Sequence, residues 1–333
     1  MSARNKQRNR FPALSLCAAM APLMSRCAGA GWLSAGLGAA GAAFVLTHLR
    51  RAAPCRTGEE GLPVSGTDRG ESFIPRALGL IAGPMLLLLA SRAAVSGTHA
   101  FAETSGDLTA AALLLALSLW AASAGPGAAE RCGGILLRLV LGFFLIVTVF
   151  SLPQIRPEWL QPGLRPGEAL VCCGLLLAPG AAFWLHKTES EHRRMLWLLL
   201  PLAAAAAAVT QGVLSAGLAQ RENSFLTLAR SVSVLGVIRR FEALVSGAML
   251  PAWFCLCTLL LCSGRAAIRA AKNLPPAAEN LATAALCFLF LPAAKRLSLP
   301  VAATLCATSC GFIPIILLSV ERKSFFRKMQ KKC

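Results

Sequence analysis

Apolar stretches of about 20 residues, separated by short polar breaks, recur about ten times and fill nearly the whole chain. They predict helical spans at approximately 11–28, 31–49, 73–95, 107–125, 133–153, 167–186, 194–219, 239–264, 279–297 and 299–320. A hydrocarbon core of about 30 Å is crossed by about 20 apolar residues of α-helix, each rising about 1.5 Å. The pattern therefore predicts an all-α integral membrane protein with about ten transmembrane helices. The longest polar stretch, 50–72, carries Arg50, Arg51, Glu59, Glu60, Pro63 and Asp68 and reads as a loop. The segment 154–166, with Pro157, Pro162 and Pro166, reads as another. The chain is thus expected to be one transmembrane domain over 1–333. Its first five helices lie in 1–153, five more in 167–320, and a basic tail in 321–333.

Composition agrees with this picture. Of 333 residues, 56% are hydrophobic and 14% charged, with a mean hydropathy of +0.62. Soluble domains carry about 25% charged residues. The formal net charge of +18 does not indicate nucleic acid. Lys and Arg sit mainly in short segments between apolar runs and at the two ends, with no aromatic platform or nucleic-acid-binding motif. Threading ten spans from a cytoplasmic N-terminus puts most of the 33 basic residues on the cytoplasmic side, the bias expected of cytoplasmic loops. Both termini are then cytoplasmic. Arg4, Lys6, Arg8 and Arg10 followed by an apolar run and Ala28-Gly29-Ala30 resemble a secretory leader. Trp32 opens a further apolar run at once, so an uncleaved first helix is the expectation.

Helix breakers carry the functional argument. Two five-helix halves of opposite polarity are how inverted-repeat transporters are built, with binding sites at discontinuous helices in matching positions. Met20-Ala21-Pro22 lies at the middle of the first span, and Ala178-Pro179-Gly180 past the middle of the sixth. Proline removes a backbone donor and glycine weakens a helix, so both sites are able to open. Broken backbone at membrane depth must face protein or a wet cavity. Met20, Ala21, Pro22, Ala178, Pro179 and Gly180 are accordingly the candidate ligand-binding residues. The competing reading is a plain proline kink, since Pro84, Pro201, Pro251, Pro292 and Pro314 also lie in or near spans.

Other positions offer less. Glu242, with Arg239 and Arg240, is a candidate gating carboxylate or an interfacial ion pair. Gln211 is the most polar point of the seventh span and is expected to hydrogen-bond across helices. Arg138 is placed to snorkel. His48, His99, His186 and His192 fall in loops or at span ends, with no spacing that builds a metal site. The 13 cysteines lie mostly inside apolar runs as small hydrophobes, and no C-x-x-C pair occurs. Small residues crowd the second span (Gly31, Ala35, Gly38, Ala39, Gly41, Ala42) and the seventh (203–208), where helices approach closely. The stretch 221–240 reads as an amphipathic helix lying at the outer surface.

Two stretches are similar to the spore germination permeases of the GerAB family, ten-span members of the amino acid–polyamine–organocation (APC) superfamily. One runs from Pro22 through Ala28-Gly29 to Trp32-Leu33-Ser34. The other runs from Ser231 through Gly236 to Arg240-Phe241-Glu242-Ala243-Leu244. Where that family has glycine before the first proline, this chain reads Cys17-Ala18-Ala19. The resemblance implies an APC/LeuT-like inverted repeat of five plus five helices. It further implies the membrane subunit of a nutrient-germinant receptor in the spore inner membrane. Such a subunit binds a small nutrient, often an amino acid, beside an A-type and a lipoprotein C-type partner. No cofactor is expected. The alternative is an APC-type secondary amino-acid transporter coupled to H⁺ or Na⁺. An enzyme is not expected, because no nucleophile–base or metal constellation stands out.

Overall fold

A computed structural model describes residues 11–52, 73–99, 108–160, 163–185, 197–219, 223–231, 241–271, 275–317 and 319. Among these every regular element is a helix. In chain order they are α1 (Phe11–Ser25), a 3-10 turn (Cys27–Gly29), α2 (Trp32–Ala52), α3 (Phe73–His99), α4 (Leu108–Ser123) and α5 (Pro126–Ser151). There follow α6 (Pro166–Leu176), which continues as a 3-10 segment (Ala178–Leu185), then α7 (Leu199–Ala219) and the short α8 (Ser224–Ser231). The set ends with α9 (Phe241–Ala271), α10 (Pro276–Arg296) and α11 (Leu299–Ala307), which runs into a π turn (Thr308–Phe312).

Six of these helical segments are long and apolar enough to cross a membrane, and four shorter apolar helices accompany them (Ala13–Gly29, Leu108–Ser123, Pro166–Ala182, Leu199–Ser215). Shortness partly reflects a change of helix type. Eleven α residues at about 1.5 Å and eight 3-10 residues at about 2.0 Å carry Pro166–Leu185 through about 32 Å.

Burial divides the bundle into centre and rim. Within their most apolar windows, α9 is 72% and α3 61% buried, whereas α5 is 22% and α10 28%. The outward faces of α4 and α5 carry Leu113, Leu117, Trp120, Ile135 and Val149, all well exposed. In water such a surface is an aggregation liability; in a bilayer it is the face the solvent prefers.

Close packing at the centre depends on glycine. The α3–α9 crossing is antiparallel. A Cβ on Gly79 would lie 2.7 Å from the Ala267 carbonyl oxygen, one on Gly83 2.6 Å from Ile268 Cγ1, and one on Gly97 2.9 Å from Trp253. The α2–α6 contact runs parallel, with Gly31 beside Gly163 and Gly38 beside Ala169 and Cys172. The α6–α11 contact is also parallel, with Gly174 against the Ala303 carbonyl and Gly180 against that of Cys310. Further packed pairs are α1–α5, α1–α9, α2–α7, α3–α10, α4–α9 and α7 with the turn after α1. Since lipid offers no hydrophobic drive between helices, such close backbone approach and a few polar links hold the set together. Ser91 Oγ donates to the carbonyls of Leu87 and Cys287, both 3.0 Å away, linking α3 to α10.

One end of the bundle is closed by charge. Glu279, 1% exposed, accepts from Arg265 Nε (3.3 Å) and Arg269 Nη2 (2.8 Å), while Arg265 Nη1 donates to the Ala122 carbonyl (3.1 Å). The end of α4, the end of α9 and the start of α10 are thereby tied together.

Two expectations change. Helix α8 does not lie on the surface: Phe225, Leu226 and Leu228 are buried, and Phe225 stacks on Phe144 of α5 with ring centroids 5.3 Å apart. Its Ser224 Oγ donates to the Ser25 carbonyl at the end of α1 (2.9 Å). The rest of 221–240 lies largely outside the described residues. The second change concerns Pro22, where α1 continues unbroken. Pro84, Pro251 and Pro292 are likewise inside continuous helices. The regularity of α1 is lost four residues later, at Arg26, whose N–H still reaches the Pro22 carbonyl (3.0 Å). At Pro179 the change of geometry does fall where the breaker lies. Ala178, which precedes a proline, is disfavoured in the α region, and the chain passes into 3-10 geometry there.

Candidate functional site

A cavity of about 80 Å³ lies where the ends of α1 and α6 meet α3, α9 and α11. Each wall is one face of a helix. From α3 come Leu89, Arg92, Ala93, Ser96 and His99, at the spacing of successive turns. Trp253, Leu256 and Leu260 of α9 repeat that rhythm, as do Leu299, Ala302 and Cys306 of α11. The α1 wall is Pro22, Ser25 and Arg26; the α6 wall is Leu175 and Ala178. Asn223, just before α8, completes it.

Because α3 and α9 run antiparallel, the lining is graded. Trp253 stands at the level of Gly97, near Ser96 and His99, while Cys257 reaches the Ala90 carbonyl one to two turns deeper. Leu89, Leu256 and Leu260 therefore form an apolar floor. Arg92, Ser96 and His99 climb one wall toward the other end, where the end of α1 supplies Arg26. Two arginines and a histidine line the chamber, and among the described lining residues there is no carboxylate. Arg26, Arg92 and His99 are half-buried. Trp253 is 6% exposed, and its indole N–H has no acceptor among the described residues.

Of the residues singled out from sequence, Pro22 and Ala178 face this chamber. Met20 and Ala21 are fully buried beside it in α1. Pro179 and Gly180 are buried at the head of the 3-10 segment, where Gly180 permits contact with the π turn after α11. Glu242 is the second residue of α9, and Arg239 and Arg240 lie outside the described residues. Gln211 is buried in α7.

Sequence reasoning missed Arg26 and Arg92 and read His99 as interfacial. The overlooked signal is a pair of basic residues seven apart on one face of an apolar span. An intramembrane charge is by default a functional candidate.

No protein-family model matches this chain, and no curated protein matches it.

Proposed function

We propose that this chain is the membrane subunit of a spore nutrient-germinant receptor of the GerAB kind, a transporter-like bundle whose chamber senses a small nutrient. The observation that carries the reading is the chamber itself, walled by the end of α1 and by the point where α6 leaves α geometry. Helix packing supports two related halves. Mapping α1–α5 onto α6, α7, α9, α10 and α11 turns the α1–α5 pair into α6–α11 and the α3–α10 pair into α9–α4. The α2–α6 pair becomes α7 with the α1 end, while α2–α7 and α3–α9 map onto themselves. The helix directions fit as well, α2, α6 and α11 running one way along their shared contacts. Ten crossings in this order return both termini to the cytoplasmic side.

On this reading a nutrient entering between α1 and α6 biases the bundle between two arrangements. A ligand shifts such an equilibrium only by its difference in affinity for the two states. The 3-10 segment, packed on the π turn through Gly180, is the element whose geometry changes with least loss of α-helical hydrogen bonding. The A-type and lipoprotein C-type subunits receive that change and trigger ion release.

The test is genetic and direct. Spores carrying Pro179→Leu should retain the protein in the inner membrane and lose nutrient-triggered ion release. An unchanged response would remove the chamber from the mechanism. Accumulation of labelled nutrient by vesicles holding this chain alone would instead establish the secondary transporter.

A further inference from the structure

We infer that the chamber selects its nutrient by width, admitting a branched aliphatic amino acid and excluding one with an indole side chain. Trp253, seated against Gly97, sets the limit. This selection rests on the reading of the chamber as the sensing site and adds what that site accepts.

Volume bounds the ligand first. An enclosed water requires about 10–15 Å³, so a chamber of about 80 Å³ holds the equivalent of about five to eight waters. That suits a compact nutrient. The floor of Leu89, Leu256 and Leu260 offers an alkyl group apolar contact and nothing polar. Each methylene buried there strengthens binding about fourfold.

Trp253 fixes the width. It stands on α9 two turns before Leu260, at the level of Gly97 on α3, so a side chain bound for the floor passes beside its ring. A Cβ on Gly97 would lie 2.9 Å from both Cβ and Cγ of Trp253, and 3.2 Å from Leu114 Cδ2 on the other side. The bare glycine is therefore what lets the indole sit back against the α3 wall. Trp253 is 6% exposed and its N–H has no acceptor among the described residues, so packing, not a hydrogen bond, decides where the ring stands. The limit is steric and independent of Arg26 and Arg92, both of which are already engaged.

The experiment uses the full chain in phosphatidylcholine nanodiscs and measures equilibrium binding of leucine, alanine and tryptophan. Leucine should bind at least about tenfold more tightly than alanine, and tryptophan should not bind. Trp253→Ala should admit tryptophan into the space the ring vacates, and tryptophan should then raise the thermal midpoint of that variant. Such a gain of binding cannot come from misfolding. Gly97→Ala tests the same limit from the other side. By driving the ring into the chamber it should weaken leucine about tenfold and leave alanine within about threefold. Tryptophan binding the unchanged protein as tightly as leucine, or not binding a folded Trp253→Ala, would overturn the inference and leave the chamber in place. So would equal losses of leucine and alanine in Gly97→Ala. Leucine binding indifferent to both Trp253→Ala and the space-filling Ala178→Trp would overturn the chamber reading itself. Failure of all three probes to bind would overturn the inference as well.

Discussion

The bundle holds two clusters of basic residues, and they differ in what surrounds them. At the closed end, Arg265 and Arg269 converge on Glu279 and on the Ala122 carbonyl, tying three helix ends together. In the chamber, Arg26, Arg92 and His99 line a cavity shared with serine, asparagine, tryptophan and leucine. The first cluster is self-contained and offers a ligand nothing. The second borders a cavity in the apolar bundle, where charge is by default a functional candidate. Arginine thus ties helix ends together in one place and lines a cavity in the other.

This contrast is breakable by mutation. Glu279→Gln should have the largest effect on stability, about 2–3 kcal/mol in reversible unfolding. That lies below the usual cost of about 3–5 for breaking a buried pair, because Arg269 is 58% exposed. Its binding affinity should stay within about twofold of the unchanged protein. Gly264→Leu, which drives a side chain toward Leu87 at the central crossing, should cost about 1–3 kcal/mol by overpacking. A lowered thermal midpoint together with weaker binding is expected there, since the same crossing sets the chamber walls. Arg92→Gln, in the chamber lining, should reduce the nutrient response about tenfold and lower the midpoint less than Glu279→Gln does. The smallest effect is expected of Ser91→Ala, about 0.6 kcal/mol in stability and none in binding, because its hydroxyl links α3 to α10 away from the cavity. Equal losses of stability for Glu279→Gln and Arg92→Gln would erase the distinction between the clusters.

The helical layout was legible because membrane spans announce themselves by length and polarity alone. The expected span 133–153 sits in the apolar helical stretch Pro126–Gln154 formed by α5 and the turn after it, and 279–297 matches α10 (Pro276–Arg296) almost end to end. The geometry change at Pro179 was legible too, since proline restricts the residue before it. Pro22 misled because proline within a membrane helix is tolerated when nearby groups take up the freed positions. The carbonyl that Pro22 leaves without its helical donor is that of Ala18, one turn back, and α1 nevertheless runs unbroken to Ser25. Helix α8 misled for another reason. Amphipathicity states that one face is apolar without stating whether lipid or protein covers it, and here Phe144 does. The basic lining was half legible: Arg92 and His99 share one face of α3, whereas Arg26 joins them from the end of α1 through tertiary packing that no local pattern encodes.

The chamber between α1 and α6 is tested most directly by photo-labelling the full chain with a diazirine analogue of leucine and mapping the modified peptides. The account predicts adducts within 22–26, 89–99, 175–178 and 253–260, suppressed by excess unlabelled leucine. Adducts confined to the outward faces of α4, α5 and α10, unaffected by competitor, would contradict it.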